Sequence, residues 1–391
     1  MRYQTAPELA KGYLRGAAFR LGAADPMQVR GVSHAIEESL PLPVGDPAYR
    51  SEPPLKSSFA EERAGHLDFV VAPLGPRARA NERTEAATRT MAEIVSGQFG
   101  REALRWLSSR AEPFAPNHGR NIRWGAHLGT SFDRNGVRES IVTYEWGPDV
   151  MDAFPGGLYR LAKAAMETLP GLRPAYSSIR CGRTSGSQQV SFVVESSMPL
   201  DALRPMMDAI GLGEKHAGLM SAVAFVLGAR FTLPPGCCSI SLRPTRSGVE
   251  MRLDIDLEMV PDLPPQLMSL LRLQLGERPQ SLRALDSWLF AMTPEGFGHP
   301  GTLSVLSVCV RPDMPARMSI HLRPPVLEEP GDRDRYDRDR EHDGRDHEHD
   351  GRERGDGDSL PGEDRHRQVG TVVTDSSGLP ATSSAVFAYP R

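Results

Sequence analysis

Four times along the chain a pair of strand-like runs is joined by a glycine- or proline-bearing turn, and each pair follows a helical stretch. The pairs span Asn121–Trp146 (turning at Asn135-Gly136), Tyr176–Glu195 (Ser185-Gly186), Cys238–Met259 (Ser247-Gly248) and Thr302–Arg323 (Pro312-Asp313). They recur roughly every 50–65 residues, and a supersecondary period of that size constrains the architecture more than any single motif does. Tandem α–β–β units predict an α+β fold. Its antiparallel sheet carries helices on one face, and if the sheet closes the helices become an outer ring around a barrel.

Alternation along the strands assigns their faces. In Glu250–Met259, Met251, Leu253, Ile255, Leu257 and Met259 oppose Glu250, Arg252, Asp254, Asp256 and Glu258; in Arg317–Arg323, Met318, Ile320 and Leu322 oppose Arg317, Ser319, His321 and Arg323. The apolar face belongs against helices. The polar face meets bulk water in an open sheet and a solvated lumen in a closed one, and alternation alone does not separate the two.

Helical periodicity fills the intervals. Glu82–Glu112 reads as two helices broken near Gly97 and Gly100, and further helical signals lie at Val150–Thr168, Leu200–Ile210, Glu214–Leu227, Gln266–Leu275 and Gln280–Met292. The chain is expected to divide into an amino-terminal segment (residues 1–80) docking on the body, a repeat body (81–327), a charged low-complexity insertion (328–366) and a tail or last strand pair (367–391). Within residues 1–80 one strand is expected at His66–Ala72. Asp332–Asp358 repeats His-Asp-Gly-Arg in balanced charge and offers a core almost nothing.

A length of 391 residues allows a sizeable core, and a net charge of −4 implies no general affinity for nucleic acid. No window has the ~18–20 apolar residues of a membrane span. Cys181, Cys237, Cys238 and Cys309 lack zinc-site spacing, so a reducing, cytoplasmic setting is expected. Neither a phosphate loop nor a Gly-x-Ser-x-Gly elbow is present; Gly211–Gly218 has glycines, but at the wrong spacing and with no strand before it.

The helix–strand–strand repeat over Asn81–Pro325 resembles the aromatic prenyltransferase barrel, the ABBA or PT fold, in its dimethylallyltryptophan-synthase-like branch. Ser131–Pro148 (SFDRNGVRESIVTYEWGP) is similar to that branch's early strand–turn–strand ending in Glu-Pro. Pro315–Pro324 (PARMSIHLRP) is similar to its Arg-x-Lys-x-Tyr strand followed by proline. The resemblance implies a closed ten-stranded antiparallel barrel with a polar lumen surrounded by helices. It also implies transfer of a dimethylallyl or longer prenyl group from its diphosphate to an aromatic amino acid, indole or peptide. No cofactor is required on this reading, and Mg2+ is compatible with it but not indicated; no membrane or nucleic acid enters.

Such chemistry needs cations for the leaving diphosphate, aromatic faces for the allylic cation and a group to orient the acceptor or take its proton. The candidates for diphosphate are Arg123, Arg180, Arg243, Arg252, Arg317 and Arg323. Tyr144 and Trp146 are candidates for the aromatic shield, Glu145 for acceptor orientation and His321 as donor or relay. Asp254 and Asp256 would hold a basic acceptor, or else form cross-strand ion pairs on a wet face. The chain departs from the family's strand pattern: Ser319 and His321 stand where it has Lys and Tyr, and Arg252-x-Asp254-x-Asp256 puts carboxylates in the same frame. A rival reading is a non-catalytic barrel that binds a peptide or small hydrophobic ligand and has no need of diphosphate anchors.

Overall fold

The structure, a computed structural model, describes residues 5–115 and 122–327. The charged insertion and the tail expected from residue 328 onward lie outside the described residues, as does Asn121. The strands are β1 (Leu55–Ala60), β2 (Leu67–Val71), β3 (Ala126–Asp133), β4 (Gly136–Glu145), β5 (Leu172–Gly182) and β6 (Gly186–Val194). A side ribbon of β7 (Met198–Pro199) and β8 (Thr232–Leu233) follows, then β9 (Cys238–Thr245), β10 (Gly248–Asp256), β11 (Thr302–Arg311) and β12 (Met314–Arg323). All except β7 and β8 close into one antiparallel barrel in the order β1-β12-β11-β10-β9-β6-β5-β4-β3-β2.

The fifth hairpin is β1–β2. The expected strand at His66–Ala72 is therefore a stave of the barrel rather than a docked addition. Its partner β1 also pairs with β12, setting Ser58 opposite His321 and closing the ring. In the β3–β4 hairpin a two-residue loop links the paired Asp133 and Gly136, and Gly136 takes the positive φ of 102° that a tight hairpin demands. β10 stops at Asp256, short of the Met259 that alternation suggested. The Asp256 carboxylate accepts the Glu258 N–H at 3.1 Å and starts a 3₁₀ turn over Leu257–Met259.

Helices α1 (Ala6–Leu21), α2 (Arg30–Ser39), α3 (Pro47–Ser51), α4 (Ala80–Ala111) and α5 (Gly156–Thr168) precede α6 (Arg204–Ala209), α7 (His216–Val226), α8 (Leu267–Gly276) and α9 (Pro279–Met292). α1 begins at a Thr5–Glu8 capping box and ends at Gly22. α4 is kinked at Gly100, where φ is 86°, and runs on unbroken past Gly97. The core lies between barrel and helices. Met251, Leu253, Ile255, Val308, Ile320 and Phe192 point outward from the strands into a cluster that includes Leu14, Met91 and Trp288. Among the described residues no helix is long and apolar enough to cross a membrane.

Candidate active site

Register sorts the inward positions, because directly opposed residues of an antiparallel pair share a face. Arg252 faces Ser241 and Cys309, Asp254 faces Ser239 and Ser307, and His321 faces Ser58 and Val305. The lumen wall is therefore polar, and three zones follow one another along the barrel axis.

At the hairpin end, seven arginines (Arg63, Arg138, Arg180, Arg243, Arg252, Arg311 and Arg317) and three glutamates (Glu62, Glu139 and Glu250) surround a cavity of about 220 Å³. The lining carries four more positive groups than negative ones. Internal carboxylates hold the arginines in place. Glu139 bridges Arg63 and Arg180, and Glu250 takes Arg243 in a two-point contact at 2.6 and 3.0 Å while lying 3.6 Å from Arg311. Two further contacts fix the lining: Arg63 meets Asp68 at 3.0 Å, and Arg317 lies 3.4 Å from Glu61, whose other oxygen accepts the Met318 N–H at 2.6 Å. Burial alone would raise the Glu139 carboxyl; the guanidinium groups of Arg180, Arg63, Arg138 and Arg243 outweigh it and bring its pKa to about 2. Glu250 is lowered in the same way, burial being overcome chiefly by Arg243.

The middle zone is a belt of hydroxyls. Thr143 meets Ser178 at 2.9 Å and Ser191 meets Ser241 at 2.8 Å. Ser307 donates to Asp254 at 2.5 Å and lies 3.5 Å from His321 Nε2. Asp254, fully buried, also receives Arg252 Nε at 3.0 Å. Burial first, then Arg252, Lys56 and Arg63, holds the His321 imidazole well below its ordinary pKa, hence neutral.

At the far end Trp124, Ala175, Tyr176 and Val193 form an apolar cluster separate from the main core. Tyr176 opposes Glu145 on β4, whose inward face also carries Glu139. Glu145 accepts the N–H groups of Arg123 and Trp124 at 2.8 and 2.9 Å, fixing the approach to β3.

The expected site residues therefore divide. Arg180, Arg243, Arg252 and Arg317 meet at the arginine-lined end. Arg123 is exposed, and Arg323 pairs with Glu258 at 2.8 Å and the Arg50 carbonyl at 3.2 Å near the opposite mouth. Tyr144 and Trp146 are outside the lumen. Tyr144 stacks on Phe114, its hydroxyl 2.8 Å from that of Thr88 on α4, while Trp146 packs edge-on against Phe154 and Phe192. Asp254 is taken up by Arg252 and Ser307, and Asp256 caps the 3₁₀ turn. Among the described residues, Trp124 and Tyr176 bring aromatic rings to the inner wall. Arg63, Arg138 and Arg311 sit at strand ends and connections, where no periodic signal marks a lumen position.

Ten antiparallel strands closed around a polar lumen, with the helices outside, make this a prenyltransferase barrel. Comparison with solved structures places the chain in that fold class. The prenyltransferase PriB with product diphosphate superposes with a TM-score of 0.64 at 16% identity, covering 83% of this chain and 98% of that one. The 6-dimethylallyltryptophan synthase of Micromonospora olivasterospora, bound to DMASPP and Trp, gives 0.64 at 13%, covering 83% and 99%. AnaPT of Neosartorya fischeri gives 0.58 at 9%, covering 82% and 92%. No family model matches the sequence, and no curated protein matches it.

Proposed function

We propose that the protein transfers a prenyl group from its diphosphate to an aromatic amino acid, indole or peptide acceptor inside the barrel. The observation that carries this reading is the arginine-lined cavity. Guanidinium forks suit phosphate oxygens, and a surplus of cations at one end of a closed lumen is where a diphosphate leaving group would rest. As the bond from the allylic carbon to the diphosphate oxygen breaks, Arg180, Arg243, Arg252 and Arg317 would take up the developing negative charge. The allylic cation would then be captured by an electron-rich ring carbon, which afterwards loses its proton. The hydroxyl belt and the Trp124–Tyr176 cluster lie on the same inner wall to enclose that step and exclude water. A magnesium ion has no fitting site among these groups, because Glu139 and Glu250 each already bridge arginines.

Solved structures of the same fold that hold tryptophan and a dimethylallyl thiolodiphosphate support this chemistry. The test is to incubate the purified protein with dimethylallyl or geranyl diphosphate and a panel of tryptophan, tyrosine, arginine and short peptides. Mass spectrometry then reads acceptors carrying one added prenyl unit. The expected result is a prenylated aromatic acceptor, with Arg317→Ala losing most turnover.

One observation favours the rival, a binding barrel without catalysis: six of the seven lining guanidinium groups, all but that of Arg138, are already engaged by carboxylates. Absence of product together with absence of diphosphate binding by calorimetry would select it.

A further inference from the structure

A second cavity, of about 290 Å³, lies outside the barrel, between α4 and the β5–β6 hairpin. Its helix wall is a stripe: Phe99, Glu102, Ala103 and Trp106 recur at i, i+3, i+4 and i+7, which puts them on one face. Such a stripe normally closes onto the layer beneath it. Here Phe99, Ala103 and Trp106 stay half-buried and Glu102 is exposed. Two glycines keep the space open. Gly100 takes a φ of 86° and bends α4 inside the stripe; a Cβ there would meet nothing within 4 Å, so the bend and not crowding requires glycine. At Gly186, by contrast, a Cβ would stand 2.7 Å from Trp106 Cζ3, and only glycine lets the indole lie against the hairpin backbone.

The walls are fixed in advance, which lowers the ordering cost of binding. The Arg110 guanidinium stands 6.0 Å from the Trp106 ring centroid. Arg183 ties the hairpin to Asp133 by two contacts, at 2.7 and 2.9 Å, and its backbone N–H donates to the Arg138 carbonyl at 3.3 Å. Cys181 lines the cavity from the helix side of β5, and burial pushes its thiol up to about 12, so it is uncharged. Asp133 thus takes up the charge of Arg183, whereas Glu102 makes no hydrogen bond or ion pair among the described residues. One unclaimed negative charge beside two aromatic rings suits a cation carried on an apolar body and repels an anion. The volume lies just under the ~300–1,000 Å³ of drug-sized sites, enough for one ring and its side chain.

We propose that this cavity is a second ligand site, separate from the lumen, for an aromatic ammonium ion whose ring packs against Phe99 and Trp106 and whose ammonium group pairs with the Glu102 carboxylate. The site goes beyond the prenyl-transfer reading and does not depend on it, because α4 and Cys181 lie on the helix side of the barrel wall.

Calorimetry on the full chain tests the site with 2-phenylethylamine, with its neutral counterpart 2-phenylethanol, and with butylamine, which has the head group of a lysine side chain and no ring. The aromatic amine should bind about fivefold more tightly than the alcohol, the value of a partly exposed ion pair of about 1 kcal/mol. Butylamine should bind about tenfold more weakly than 2-phenylethylamine. Glu102→Gln should bring the aromatic amine to the affinity of the alcohol and leave the alcohol unchanged. Ala103→Leu should weaken both about tenfold by filling the space. Trp106 is half-buried while Trp124, Trp146 and Trp288 are buried, so binding should also shift tryptophan emission, and Trp106→Phe should remove that signal. Unchanged urea midpoints in Glu102→Gln and Ala103→Leu show that the fold is intact. Equal affinities for amine and alcohol, a preference that survives Glu102→Gln, affinities untouched by Ala103→Leu, an emission change that survives Trp106→Phe, or no binding at all would overturn the assignment. Butylamine binding as tightly as 2-phenylethylamine would overturn the aromatic body and give the site to a lysine side chain of a partner.

Discussion

Glu139→Gln is the most informative single change at the arginine-lined end. The carboxylate bridges Arg63 and Arg180, and its side chain is 14% exposed. Its pKa is about 2 against an ordinary 4.5, because the surrounding guanidiniums overcome the effect of burial. At about 1.36 kcal/mol per pH unit, that difference is worth on the order of 3 kcal/mol of folding stability. The folded-state value is depressed, so the contribution is complete above pH 4.5 and declines as pH falls through the folded value of about 2; more than half is gone near pH 3. Glutamine has the shape of the protonated acid. Urea unfolding at pH 7 should find the variant less stable by about 3 kcal/mol with unchanged m, and the gap to wild type should narrow steadily from pH 5 to pH 3. The amide also stops competing for the two guanidiniums, so pyrophosphate affinity should rise while stability falls. A stability gap independent of pH, or a parallel loss of pyrophosphate affinity, would refute the account of the bridge.

Arg138 lines the same cavity on an exposed position, its guanidinium 3.1 Å from His66 Nε2. Arg138→Ala should weaken pyrophosphate about tenfold in calorimetry while moving the unfolding midpoint by no more than about 0.5 kcal/mol. Tyr144→Phe removes only the contact with Thr88 on the helix side; stability should drop by about 1 kcal/mol and prenyl transfer, read by product mass, should be unaffected. Gly125→Ala places a Cβ 2.1 Å from the Ala80 carbonyl oxygen at a φ of 80°, and thermal unfolding should show a loss above about 2 kcal/mol.

The barrel was legible wherever one strand face is uniformly apolar. β10 runs Met251, Leu253, Ile255 outward against Arg252 and Asp254 inward, and the structure keeps that division. On β4 the code is mixed: Ile141 and Thr143 face the lumen while Ser140, Val142 and Tyr144 face helices. Polarity there does not say which side is inside, so Tyr144 and Trp146 could be placed on one face but not on the correct one. β1 (LKSSFA) has too few apolar residues to announce itself, and its pairing with β12 joins segments more than 250 positions apart, beyond any local signal. Four of the seven cavity arginines lie on alternating strands and were named; Arg63, Arg138 and Arg311 come from strand ends and a connection.

The β1–β12 seam also sets a timetable. A stave made near residue 58 must wait for the strand near residue 321 before both its edges are covered. At roughly 5–20 residues per second on the ribosome, that wait is about 13–50 s. Through that interval β1 presents an unpaired edge, with Leu55 and Phe59 on the side that later joins the core, and the ring-closing contact carries the largest loop-closure cost in the sheet. Refolding should therefore be limited by this last seam, and the species that accumulates while it is open is the one most exposed to edge-to-edge association.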